Sequence, residues 1–94
     1  MPEIETIILD GERMQNRRAA HDHLAERLGL PEYYGRNLDA LYDLLTERSG
    51  PARLVVQHRE ALLSRLGGYG TALCRTLEDA DRSNPDLEVL FSED

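Results

Sequence analysis

Asp39 and Asp43 stand four residues apart, the spacing that stacks two side chains one turn apart on a single face of a helix. Two carboxylates so placed could serve as an acid–base pair or as half of a metal site. Catalytic carboxylates need surroundings that drive their pKa values apart, usually a pocket with apolar walls. The neighbouring residues point elsewhere. At roughly 100° per residue, Leu38, Leu41, Leu44 and Leu45 gather on one side, and Asp39, Tyr42, Asp43 and Thr46 gather opposite, with Glu47 at the margin. The leucine side is core; the acidic side faces water. Three readings stay open: a solvated face with Asp39 favoured in the first turn by the helix dipole, a docking surface for a basic partner, and a catalytic pair. Tyr33, Tyr34 and Tyr42 crowd the same region, and aromatic rings beside charges are typical of interface hot spots.

The other reactive residue types give less. His21 and His23 are two apart and cannot share a helix face, and His58 has no sequence-adjacent partner, so hydrogen-bonded or solvated histidines are expected and zinc spacing is absent. Cys74, between Leu73 and Leu77 at helical spacing, reads as a small buried hydrophobe. Gly67, Gly68 and Gly70 follow a helix instead of a strand and lack a lysine, which argues against a phosphate loop. Glu78, Asp79 and Asp81 form a second acidic group late in a helix, where negative charge opposes the dipole. No catalytic residue, metal site or cofactor is assigned.

These groups have to be positioned by the rest of the chain. Ile4 to Leu9 reads as a first strand, and its apolar run Ile7-Ile8-Leu9 predicts cover on both faces. Asn16 is placed to cap a helix running to about Leu28, with Gly29 as its left-handed stop. Pro31 opens the segment leading to Asp39, Tyr33 and Tyr34 are expected exposed, and Gly35 offers a position where a positive φ costs nothing. Asn37 can cap the helix that begins at Leu38. Arg53 to Gln57 reads as a second strand, Glu60 to Leu66 as a short helix, Tyr69 to about Arg82 as a helix of about three turns, and Leu87 to Phe91 as a third strand. The order β-α-α-β-α-α-β predicts an α/β domain with a parallel sheet and right-handed crossovers.

Composition narrows the partners. The chain has 94 residues, 18 acids and 11 bases, all of them arginine, for a formal charge of -7. Such a protein repels nucleic acid and anionic membrane and attracts basic proteins. The single cysteine cannot form an internal disulfide, which favours a reducing, cytoplasmic setting. No apolar run approaches the ~20 residues of a membrane span, and no positively charged segment precedes the first apolar stretch as a secretion signal would require.

The run LPEYYGRNLDALYDLLTE, residues 30–47, resembles the barstar family, intracellular inhibitors of secreted microbial ribonucleases. The element order is similar as well, from the IILDGE strand and turn to the closing LEVLF strand. The resemblance implies a single domain over residues 1–94, a small three-stranded parallel sheet packed with about four helices. It implies that the second helix and the loop before it plug a ribonuclease active site, one inhibitor to one basic ribonuclease or toxin, with no nucleic acid or membrane partner and a monomeric free state. On these terms Asp43 would be the chief phosphate mimic and Asp39 a second acidic contact. Tyr33 would lie against the catalytic histidine, Gly35, Asn37 and Leu38 would give backbone and packing contacts, and Asp79 a peripheral acid. Tyr42 stands where a tryptophan is common, Arg36 where an acid is often found, and Arg48 replaces an aromatic at the edge of the surface. Those two arginines favour the alternative of a non-inhibitory interaction module in a regulatory complex. A hydrolase using Asp39 and Asp43 ranks last.

Overall fold

The computed structural model describes residues 3–93. Strand β1 (Glu5–Asp10) ends in a short 3-10 turn (Gly11–Arg13), followed by helices α1 (Arg17–Leu28) and α2 (Leu38–Glu47). Strand β2 (Ala52–Gln57), helices α3 (Arg59–Leu66) and α4 (Gly68–Ser83), and strand β3 (Leu87–Phe91) complete the chain. The sheet is three-stranded and parallel in the order β1-β2-β3, with Glu5 opposite Ala52 and Ala52 opposite Leu87. The α/β architecture expected from the element order, including four helices, is the one observed.

Buried and less buried residues alternate through β2 and through the C-terminal part of β1. Ile7 and Leu9 of β1, Ala52, Leu54 and Val56 of β2, and Leu87 of β3 meet Leu24, Leu41, Leu45, Leu73 and Leu77 from the helices. Each such side chain withdrawn from water stabilises the fold by about 1.5–3 kcal/mol. The expectation that β1 is covered on both faces is corrected: Ile8 is only half-buried, and its row continues through Val55 to the exposed Leu90. Consecutive right-handed crossovers that advance across a sheet in one direction place their helices on one side. The opposite face is left to water, where Arg53 and Glu88, register partners on β2 and β3, form a 2.5 Å ion pair.

Side chains from the helices also bind backbone groups of the two outer strands. His23 Nε2 accepts the Asp10 N–H at 2.9 Å, Arg27 Nε donates to the Ile8 carbonyl at 2.9 Å, and the Val89 N–H donates to Asp81 Oδ2 at 2.8 Å. Helix α4 is longer than its three apolar turns predict, because it starts at Gly68 directly after Gly67 (φ 58°) ends α3. The glycine cluster has a packing reason: a Cβ on Gly70 would stand 3.0 Å from the Leu62 carbonyl, where α3 and α4 cross closely. Among the described residues, no helix is long and apolar enough to cross a membrane.

Candidate functional site

Helix α2 is fastened at both ends. Asn37, in extended conformation, accepts the Ala40 N–H on its side-chain oxygen at 2.8 Å, satisfying a donor the first turn cannot use internally. At the other end Asn84, buried after α4, donates to the carbonyls of Leu45 and Arg48 at 2.9 and 3.0 Å. That second cap joins residues 36 and 39 positions apart, so local pattern reading could only see Asn84 as a helix breaker. Leu41 and Leu45 are buried, and Leu38 and Leu44 pack partly against the core.

The residues before α2 are fixed by a buried polar chain. Tyr33 and Tyr34 were both expected in water; Tyr33 is 82% exposed, but Tyr34 is buried at 4%. Its hydroxyl lies 2.5 Å from His21 Nδ1, and the Tyr69 hydroxyl of α4 lies 2.6 Å from His21 Nε2. A neutral imidazole has one donor and one acceptor nitrogen, so one tyrosine gives a proton to the bond and the other receives one. His21 thereby ties α1, α4 and the loop before α2 together. Burial lowers its pKa, the positive charge of Arg36 adds to the depression, and Asp22 opposes it. Burial raises the Tyr34 and Tyr69 hydroxyls, so both stay protonated as bond donors or acceptors. The positive φ offered by Gly35 is taken instead by Arg36, at φ 51°. A left-handed arginine is uncommon and carries a conformational cost of about 1 kcal/mol or more.

Asp39 and Asp43 are both exposed, and among the described residues neither carboxylate has an ion-pair or hydrogen-bond partner. They face different surroundings. Asp43 borders a groove of about 230 Å³ with Tyr33, Gly35, Leu44 and Glu47, whereas Asp39 borders a larger one with Asn37, Leu38 and Arg36. Tyr42 is half-buried against the core, its hydroxyl 2.7 Å from Ser83 Oγ, so it sits at the α2–α4 seam. Thr46 bonds back to the carbonyls of Tyr42 and Asp43. Asp79 pairs with Arg82 within α4, and Asp81 is taken up by β3, so two of the three acids of the second group have structural partners. Arg48 is not presented at the edge of the surface: it binds Glu5 at 2.5 Å and the Leu28 carbonyl at 3.3 Å.

The remaining reactive groups are buried or paired. Cys74 is buried, and burial raises its thiol pKa. Among the described residues, Asp10, Glu12 and His58 are the group whose donor atoms converge within 4.8 Å. Asp10 already accepts the Glu12 N–H, and His58 lies 3.5 Å from Glu12.

A three-stranded parallel sheet with helices on one face, and a capped acidic helix next to an ordered tyrosine loop, define a barstar-like domain. The family described as Barstar (barnase inhibitor) matches residues 4–92, and the chain belongs to that family. It is 38% identical over 81 residues to a Bacillus subtilis (strain 168) protein named "Putative ribonuclease inhibitor YrdF", a match covering 85% of this chain and 89% of that protein.

Proposed function

We propose that this chain is a one-to-one protein inhibitor of a barnase-type ribonuclease or a related toxin, acting in the cytoplasm as a free monomer. Helix α2 and the loop from Tyr33 to Asn37 cover the enzyme's active site, and their carboxylates occupy the places of RNA phosphates. The observation that carries this reading is the pair of unpartnered carboxylates, Asp39 and Asp43, on a helix whose two ends are held by Asn37 and Asn84, with Tyr33 standing 82% exposed beside them. An RNA-cleaving site has to be basic, and a chain of charge -7 is steered towards it. Asp43 faces the nuclease cations, Asp39 adds a second contact, and Tyr33 packs on the catalytic histidine. Gly35, Asn37 and Leu38 supply backbone and packing contacts, Tyr42 an aromatic margin and Asp79 a peripheral acid.

The mechanism is steric blockage combined with electrostatic mimicry, and it uses no cofactor or metal. The rigid caps matter because a preorganised surface loses less conformational freedom on association. The test is titration of the chain into a barnase-type ribonuclease cleaving RNA. Loss of activity with a sharp break at equimolar inhibitor supports the reading; full activity at micromolar excess overturns it for that enzyme class.

A further inference from the structure

The larger groove beside α2 has the opposite sign to the rest of the molecule. It is a cavity of about 570 Å³, lined by the guanidinium-bearing residues Arg17, Arg18 and Arg36 together with Asn37, Asp39 and Tyr69. One carboxylate, Asp22, serves two of these cations, at 2.8 Å from Arg36 and 3.9 Å from Arg18. Arg17 has no carboxylate within 4.0 Å among the described residues; it lies over the Tyr69 ring, 4.2 Å from its centroid. Tyr69 is held in turn by His21, so the cation rests on an immobilised platform. Arg17 and Arg18 occupy the first turn of α1, where no acid is present and the dipole disfavours positive charge. Of the two, only Arg18 has a partner within the helix among the described residues, the long i,i+4 contact to Asp22. The positive field is also felt by His21, whose pKa Arg36 helps to lower.

We infer that this basic groove seats a carboxylate side chain of the protein that α2 covers, a contact adjacent to Asp39 and opposite in sign to it. This inference rests on the reading of α2 as a ribonuclease-blocking surface, with which the groove is continuous through Asn37 and Asp39. Guanidinium groups pair with carboxylates in a planar, two-bond geometry, which gives register as well as attraction. A nucleic-acid strand is disfavoured, because its successive phosphates would meet Asp39 and a chain of charge -7. The partner is therefore a mostly basic protein with an acidic residue at the rim of its site, and the groove discriminates against nucleases that are basic throughout.

Two measurements test this. The first follows amide chemical shifts of the intact chain as acetyl-tetraglutamate amide is added, with the tetraglutamine peptide and tetra-adenylate as comparisons. Saturable shifts confined to the groove, absent with tetraglutamine and lost in the R17Q/R18Q/R36Q variant, support the inference. Shifts that are absent, that survive in the variant, or that are matched by tetra-adenylate overturn it. The second measures association and dissociation of the same variant with a ribonuclease that the parent inhibits. Removing three cations makes the inhibitor more negative, so steering alone predicts faster association and unchanged dissociation. A seated carboxylate instead predicts dissociation about tenfold faster; unchanged dissociation refutes the contact. If no ribonuclease is inhibited, the reading of α2 fails, and the peptide titration still decides whether the groove takes carboxylates.

Discussion

The two flanks of α2 each carry an exposed aspartate, and the surroundings of the two differ. On one flank Asp43 stands among Tyr33, Leu44 and Glu47, in a negative and aromatic setting. On the other, Asp39 stands beside Arg36 and across from Arg17 and Arg18. Asp43 shares its groove with another acid, Glu47, whereas Asp39 shares its groove with three guanidinium groups. Four residues of helix separate an attractive site for cations from a mixed one. Residue identity and helical spacing therefore do not determine an acid's role; the elements packed next to it do.

The largest expected effect separates the flanks directly. Asp43→Ala weakens ribonuclease binding by about 2 kcal/mol or more, the level that defines an interface hot spot. Asp39→Ala costs distinctly less, and Glu93→Ala, paired with Arg59 away from α2, leaves dissociation unchanged. Surface plasmon resonance measures all three, and equal losses at Asp39 and Asp43 would abolish the distinction between flanks.

Next in size is Tyr34→Phe, which leaves a buried nitrogen of His21 without its hydroxyl partner. Global stability should fall by about 1–3 kcal/mol in urea unfolding, the cost of one unsatisfied buried polar group. The exposed Tyr33→Phe should leave stability unchanged. If Tyr34→Phe is neutral, the buried chain does not hold the loop and the flanks are not preorganised.

A smaller effect comes from pH. The His21 pKa is lowered in the folded state, so below its unfolded value of about 6.5 the unfolded chain binds more protons and stability declines. Towards pH 8 the residue becomes neutral in both states and its contribution to the slope fades. His23, also lowered by burial, acts in the same direction. Stability measured from pH 7.5 to 5 should therefore fall, with a shallower slope in His23→Gln; an equal slope would assign the whole dependence to other groups.

The smallest is Arg36→Asn. Asparagine tolerates the left-handed conformation, so stability should move by roughly 0.5 kcal/mol or less. Association with a basic ribonuclease should quicken at low salt and lose that gain at high salt. A slower association at low salt would mean that Arg36 itself guides the encounter.

Much of the fold was legible because its signals are local. Asn16, Gly29 and Asn37 act within a few residues of themselves, and each is found in the conformation its side chain and spacing predict. The leucine stripe of α2 likewise identified its buried side. The solvent-facing side of β1 was not legible, since Ile7-Ile8-Leu9 reads the same whether helices cover one face or two. Tyr34 was placed in water because its partner, His21, is thirteen residues away and in another element. The partners of Arg48 and Asp81 were hidden for the same reason: each answers to a backbone group brought near only by the fold. In the candidate site, the acids on α2 were visible as a helical pair. The basic groove was not, because Arg17 and Arg36 belong to separate segments and converge only when α1 packs beside the loop.

The side chains that occupy the edges of the sheet have a consequence for how this protein meets others. A parallel sheet of three strands has two open borders, each able to recruit a further strand from a neighbouring chain. Here His23 and Arg27 hold backbone groups in β1, and Asp81 holds one in β3. An incoming strand would have to displace these partners to pair along the full length of either edge, which weakens both growth of the sheet between copies and capture of extended peptides. The same contacts that hold the helices on the sheet thus also make its borders poorer templates for a neighbouring chain.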